Sequence, residues 1–204
     1  MGSFYVNLNE SVDIDDFDKK KNQMVEIRNK IVRTGAAYLE DLMFGNPSAP
    51  WYASTITYMH VGGSDYTNTG IAGPSAGSLP EDGTWQKASF EDFKLTEWIA
   101  ASPLSFKREG STVTVKAVFN DAQLFSGVTL TERLIRELGM FLGSTQPEAN
   151  PLESSANMTK AMVARGVQFS ITAIGEDNYY VDNPLPWEID SGRNFEVFYK
   201  FRLQ

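Results

Sequence analysis

Apolar and polar residues alternate with a period of two in several short runs, and this pattern predicts strands with one buried and one solvated face. The clearest runs stand near the end of the chain. Over Ala164 to Ala173, Val167, Phe169 and Ile171 alternate with Gln168, Ser170 and Thr172. Over Asn194 to Leu203, Phe195, Val197, Tyr199, Phe201 and Leu203 alternate with Glu196, Lys200 and Arg202. Gly175-Glu176-Asp177-Asn178 and Asp190-Ser191-Gly192 lie between them, and such residues adopt the conformations that reverse a chain. Together the two runs predict an antiparallel ribbon that closes a sheet. Ser54 to Val61 alternates as well, with Ile56, Tyr58 and His60 opposite Thr57, Met59 and Val61. Thr112 to Phe119 places Val113, Val115, Ala117 and Phe119 inward, and Glu109-Gly110 just before it predicts a β-hairpin.

The pattern changes period near the start. Phe17, Met24, Ile27, Ile31, Tyr38, Leu42 and Met43 recur at helical spacing and predict one long amphipathic helix over 16–44. Asp13, Asp15, Asp16 and Asp18 suit the positive end of a helix dipole, and they lack the Gly and distal Glu of a calcium-binding loop. Gly35 is a possible interruption; Gly45, Pro47 and Pro50 end the helix. Residues 1–15, with Phe4, Tyr5, Val6 and Leu8, read as an N-terminal arm or a first strand. Val128 to Leu142 suits helix or strand equally, because periodicity cannot separate the two over so few residues. Two stretches rich in Gly, Ser, Pro and Asn, Gly62–Gly83 and Gly143–Asn157, read as long loops of the kind that carry function. The expected fold is mainly β, a β-sandwich, or α+β, with antiparallel sheets and one long N-terminal helix. The expected organisation is an arm (1–15) and a single β-rich domain (16–204).

Composition narrows the function. The chain has 204 residues, 42% of them hydrophobic, which is enough for a real core. A net charge of −8 disfavours nucleic acid and anionic membranes as partners, since both need clustered cations. No apolar run approaches the roughly 18–20 residues that span a bilayer, and the polar, acidic N-terminus predicts no signal peptide. Cysteine is absent, which removes disulfides, thiolate metal sites and thiol nucleophiles. His60 is the only histidine and reads as structural. No phosphate-binding loop, dinucleotide fingerprint, nucleophile elbow or zinc-protease motif is present. No pair stands out among the 26 acidic residues as an acid and base for glycoside hydrolysis. No catalytic residue, cofactor or metal is therefore expected. The aromatic share of 12% reads as core or, where aromatic residues sit beside Pro and Gly loops, as anchors at a subunit interface. The interface candidates are Phe4, Tyr5, Trp51, Tyr52, Tyr66, Tyr179, Tyr180 and Trp187.

A resemblance joins these features. Asn29-Lys30-Ile31-Val32-Arg33-Thr34-Gly35 is followed by Ile56-Thr57-Tyr58-Met59-His60-Val61-Gly62. Then come Ile135-Arg136-Glu137-Leu138-Gly139-Met140-Phe141, Met162-Val163-Ala164-Arg165 and the closing alternating strand. This succession resembles a group of tailed-bacteriophage virion proteins found in tails, baseplates, fibre attachments and necks. The likeness covers about Asn29 to Leu203; Gly139-Met140-Phe141 stands where that group has Gly-Leu-Phe. The resemblance implies a non-enzymatic structural subunit of the virion, assembled in the host cytoplasm. It implies a homo-oligomer in a symmetric assembly, with other phage structural proteins as partners. A capsid decoration protein is a close alternative. A carbohydrate-binding or receptor-binding tail module, with Trp51 or Trp187 stacking on sugars, is another, and a glycan-cleaving enzyme is a third.

Overall fold

The computed structural model describes residues 2–45, 54–62, 93–95, 98–126, 132–135, 137–167, 170–174, 178–182, 187–190 and 192–202. Ten strands form two five-stranded sheets. The first sheet holds β1 (Gly2–Asn7), β2 (Val25–Arg28), β6 (Ser105–Glu109), β7 (Thr112–Phe119) and β14 (Phe195–Arg202), in the order β2-β1-β14-β7-β6. The second holds β3 (Lys30–Ile31), β4 (Tyr58–Gly62), β5 (Trp98–Pro103), β9 (Glu137–Phe141) and β10 (Met162–Val167), in the order β3-β10-β9-β4-β5. Two further pairs join β11 (Ser170–Ile174) to β12 (Asn178–Asp182) and β8 (Glu132–Ile135) to β13 (Trp187–Asp190). Every pairing among the described residues is antiparallel, as the alternating patterns predict.

The edges of the two sheets are linked by single residues. Asn29 alone separates β2 from β3, and Leu104 alone separates β5 from β6. Each edge of the first sheet therefore runs on into an edge of the second, the way strands turn corners between packed sheets. The ten strands follow one another in a ring around a shared core. Phe4, Val6, Ala117 and Val197 reach that core from the first sheet, and Met59, Val61, Leu138 and Ala164 from the second, all fully buried.

Several expectations are corrected. The two C-terminal runs do not form one ribbon. β10 lies in the second sheet and β11 pairs with β12, whereas β14 lies mid-sheet between β1 and β7. Alternation says which way side chains face but not which strand lies alongside. The long helix over 16–44 is not formed either. A helical turn at Phe17–Lys20, flanked by 3-10 turns, gives way to extended backbone at Met24, then β2 and β3, and only Arg33–Phe44 is a regular helix. The segment Met24-Val25-Glu26-Ile27 fits either period over so short a span. The unpaired side of β1 decides, with Val6 opposite Val25 and Phe4 opposite Ile27. Within residues 1–15, β1 is an inner strand of the first sheet. Within the 128–142 stretch that suited helix or strand, the described residues Glu132–Ile135 and Glu137–Phe141 are strands β8 and β9.

Other details follow the sequence. Gly110 takes φ +58° at the turn between β6 and β7. Gly45 takes φ +69° after the helix, its N–H returning to the Asp41 carbonyl, a left-handed stop that glycine adopts without penalty. Gly35 does not interrupt the helix. A Cβ there would collide with the backbone carbonyl of Val163 in β10, so glycine is what lets the helix lie directly on the second sheet.

Candidate functional site

Of the eight aromatic candidate anchors, five lie among the described residues, on β1, β12 and β13. Phe4 is fully buried in the shared core and packs against Tyr199 with ring centroids 4.9 Å apart. Tyr5 stands on the opposite face of β1, edge-on to Phe17 at 5.2 Å, and its hydroxyl donates to Glu26 at 3.2 Å. Burial and the neighbouring Glu26 carboxylate push the Tyr5 hydroxyl upward from its ordinary value. Phe4 is thus a packing residue, whereas Tyr5 is half-buried beside Phe17. Tyr179 and Tyr180 occupy β12 and Trp187 opens β13. Trp51, Tyr52, Tyr66 and nearly all of the Gly62–Gly83 loop lie outside the described residues.

Three buried polar clusters hold the body together. The first was expected on a solvated face. Glu196 is 3% exposed, because residues 8–20 cross the outer side of β14 and Phe17 stacks on Phe198 at 5.0 Å. Its carboxylate accepts from Lys116 Nζ at 2.7 Å, Ser11 Oγ at 2.5 Å, the Val12 N–H at 3.0 Å and Asn7 Nδ2 at 3.0 Å. Burial is the largest influence and opposes its ionisation. The four donors together outweigh it and hold the carboxyl below its ordinary value. Lys116 also donates to the Val12 carbonyl at 2.6 Å, so one ion pair clasps the incoming chain from both sides. Glu196 further lines a polar cleft with Glu10, Ser11, Arg193 and Asn194.

The second cluster is the ion pair of Arg165 with Glu137, at 2.9 Å between β10 and β9, with side chains 2% and 1% exposed. The third centres on His60. Its ring stacks on Phe141 at 3.9 Å and 8°, and its Nε2–H donates to the Gly143 carbonyl at 2.9 Å. Burial pushes the imidazole down to about 4, against that hydrogen bond, which favours the charged form. A neutral, stacked imidazole here is a packing group that also pins the Gly143–Asn157 loop. Asn157 within that loop accepts from the Glu148 N–H at 3.1 Å, and Gln146 accepts from the Leu95 N–H. The Asp cluster has a local role too: Asp13 accepts from the Asp15 N–H at 2.9 Å and caps the first turn. Among the described residues no group of three or more histidine or acidic side chains could hold a metal ion, and no helix is long and apolar enough to cross a membrane.

One end of the space between the sheets is left unfilled. A cavity of about 170 Å³ lies there, walled by Val113, Val115, Tyr199 and Phe201 of the first sheet and by Met140 and Val163 of the second. Leu104 and Phe106 at one corner, Ile31 beside the other, Ile56, and Leu39 of the helix complete the wall. Of these lining residues only Tyr199 carries a hydroxyl, which Asn29 Nδ2 reaches at 3.0 Å. Burial pushes that hydroxyl up to about 12, partly offset by Asn29. Beside this hollow, the helix ends in the exposed side chains of Leu42, Met43 and Phe44, the last two 76% and 79% exposed. In the sequence pattern these residues stand only as helix positions. Three consecutive apolar residues in an amphipathic helix are a signal, since one buried stripe cannot take all three. No family model matches the chain, and no match is found among curated proteins or solved structures.

Proposed function

We propose that this chain is a non-enzymatic structural subunit of a bacteriophage particle, in the tail, baseplate or neck, and that it works through contacts between subunits. The order of short motifs from Asn29 to Leu203 supports the phage setting. In this reading the two antiparallel sheets stack as a β-sandwich whose sides are closed by the Asn29 and Leu104 corners, a rigid body suited to repeated use in a symmetric assembly. The observation that carries the reading is where large apolar side chains meet solvent. Ile31 and Phe106 line the hollow beside the two corners, and Met43 and Phe44 stand at the tip of the helix whose Leu39 lines it, 40–79% exposed. Apolar surface gathered around one part of a molecule marks an interaction face.

Native mass measurement and sedimentation across a wide concentration range test this. A defined oligomer is expected, or incorporation into a particle when the other virion proteins are present. A chain that stays monomeric throughout, and that turns over host polysaccharide through a single carboxylate, would overturn the reading.

A further inference from the structure

We infer that residues 8–24, the connection from β1 to β2, form a strap that acid lifts from the outer face of the first sheet as one unit, with Glu196 as its latch and both sheets left intact. The inference goes beyond the subunit reading and does not depend on it. Both ends of the strap are fixed, since β1 pairs with β14 and with β2. Its middle adds little to the core. Among residues 8–24 only Phe17 is buried, and a segment with so little buried surface opens at a lower free energy than the body.

Charge holds the middle down. Lys107 of β6, Lys116 of β7 and Lys200 of β14 all meet the strap or its latch. Lys107 pairs with Asp15 at 3.0 Å and Lys200 with Asp18 at 2.5 Å. Lys116 pairs with the buried Glu196 at 2.7 Å and donates to the Val12 carbonyl, while Glu196 accepts from Ser11 and from the Val12 N–H. Every one of these ties to β6, β7 and β14, except that to the Val12 carbonyl, runs through a carboxylate. The other charged groups nearby are Glu109, which shares Lys107, Lys21, which shares Asp18, and the Asp16–Lys19 pair within the strap. Glu26 of β2 accepts from Tyr5, and Glu10 and Arg193 stand in the polar cleft that borders Glu196. The anions in this set all titrate in the same acid range, and the cleft gives protons a path to the buried one.

The sign follows from the partners. Burial opposes the ionisation of Glu196, but its donors outweigh that and hold the carboxyl below its ordinary 4.5. Hydrogen bonds from Lys200 and Lys21 do the same for Asp18. Carboxyls depressed in this way hold the strap closed above their ordinary values and cease to do so as pH falls through the folded ones. The three lysines then keep their charge with no anion opposite, and only Phe17, stacked on Phe198 at 5.0 Å, still grips the sheet. Lifting the strap brings Phe198, fully buried when it is closed, into solvent beside Lys116.

Amide hydrogen exchange on the full chain tests this. Between pH 7 and about pH 3.5, below the ordinary carboxyl range, residues 8–24 are expected to lose protection while β7 and β14 keep theirs. Bonds to charged groups are the strong ones, so the strap is expected to lose at least about tenfold more protection than those strands. Glu196→Gln is expected to open the strap already at pH 7, to speed tryptic cutting at Lys19, Lys20 or Lys21 at least about tenfold, and to shrink the remaining acid response. Asp15→Asn combined with Asp18→Asn removes exposed pairs and is expected to shift protection only about twofold. His60→Gln is expected to leave the strap response in place, because His60 lies on β4 of the second sheet. Strap protection indifferent to acid overturns the inference. So does a loss shared equally by strap and sheets, at low pH or in Glu196→Gln, since no separate unit then exists. An acid response as large in Glu196→Gln as in the natural chain also overturns it, because Glu196 is then not the latch. The subunit reading is decided separately, by its own sedimentation test.

Discussion

The two ends of the core are built from the same strands and finished differently. At one end, Phe119 and Phe195 face each other in register across β7 and β14, with rings 6.1 Å apart. The helical turn Asp121–Leu124 lays Leu124 over them, and all three side chains are fully buried. At the other end, the same two strands bring Val113 opposite Phe201, but both are only partly buried and a hollow remains. The difference is the presence of a cap. Asn120 and Gln123 form a reciprocal capping box that fixes the Asp121–Leu124 turn, and Gln123 also donates to the Ala101 carbonyl at 3.1 Å. No comparable plug covers the Val113–Phe201 end among the described residues. Alternation in a strand supplies apolar side chains to the core; closing an end takes a separate element.

Removing the plug should have the largest effect. Leu124→Ala is expected to lower unfolding free energy by about 3–4 kcal/mol, since it opens a cavity in a fully packed site; urea denaturation measures this. Acid should strain the whole body regardless of end. His60 has a folded value of about 4 against an ordinary 6.5, so folding favours its neutral form. Its contribution is intact above pH 6.5 and is lost as pH falls toward 4, about 3 kcal/mol in total. Glu196, held below its ordinary value, adds a loss of the same sign once pH drops below that value. Stability measured at pH 7 and pH 4.5 should fall sharply for the natural chain and much less for His60→Gln.

Gly35→Ala should displace the helix from β10 at the open end. Overpacking of this kind costs about 2 kcal/mol, and because the helix carries Phe44, self-association should weaken alongside thermal stability. Asn120→Ala removes the capping box and should cost about 1 kcal/mol, with amide exchange speeding up over Asp121–Leu124. Smallest is Val113→Ala, expected to cost less than about 1 kcal/mol, since it enlarges a hollow that already exists. If Val113→Ala cost as much as Leu124→Ala, the distinction between the two ends would be lost.

Much of this molecule is written locally. The alternation of Thr112 to Phe119 and of Phe195 to Phe201 determined β7 and β14 and the direction of their inward side chains. Gly110 determined a turn, and Gly45 determined where the helix stops, because both need a left-handed backbone. Local pattern could not choose the neighbours. β14 pairs with β1 from the opposite end of the chain, and Glu196, Phe198 and Lys200 face a covering segment rather than water. The helical periodicity of 16–44 was broken by the free side of β1, which offered Val25–Arg28 backbone hydrogen bonds that a helix would have had to supply internally. The hollow and the exposed Phe44 likewise exist only once two sheets, two corners and a helix are assembled. A residue's facing depends on its immediate neighbours in sequence, whereas its partner depends on long-range contacts that no short window of sequence contains.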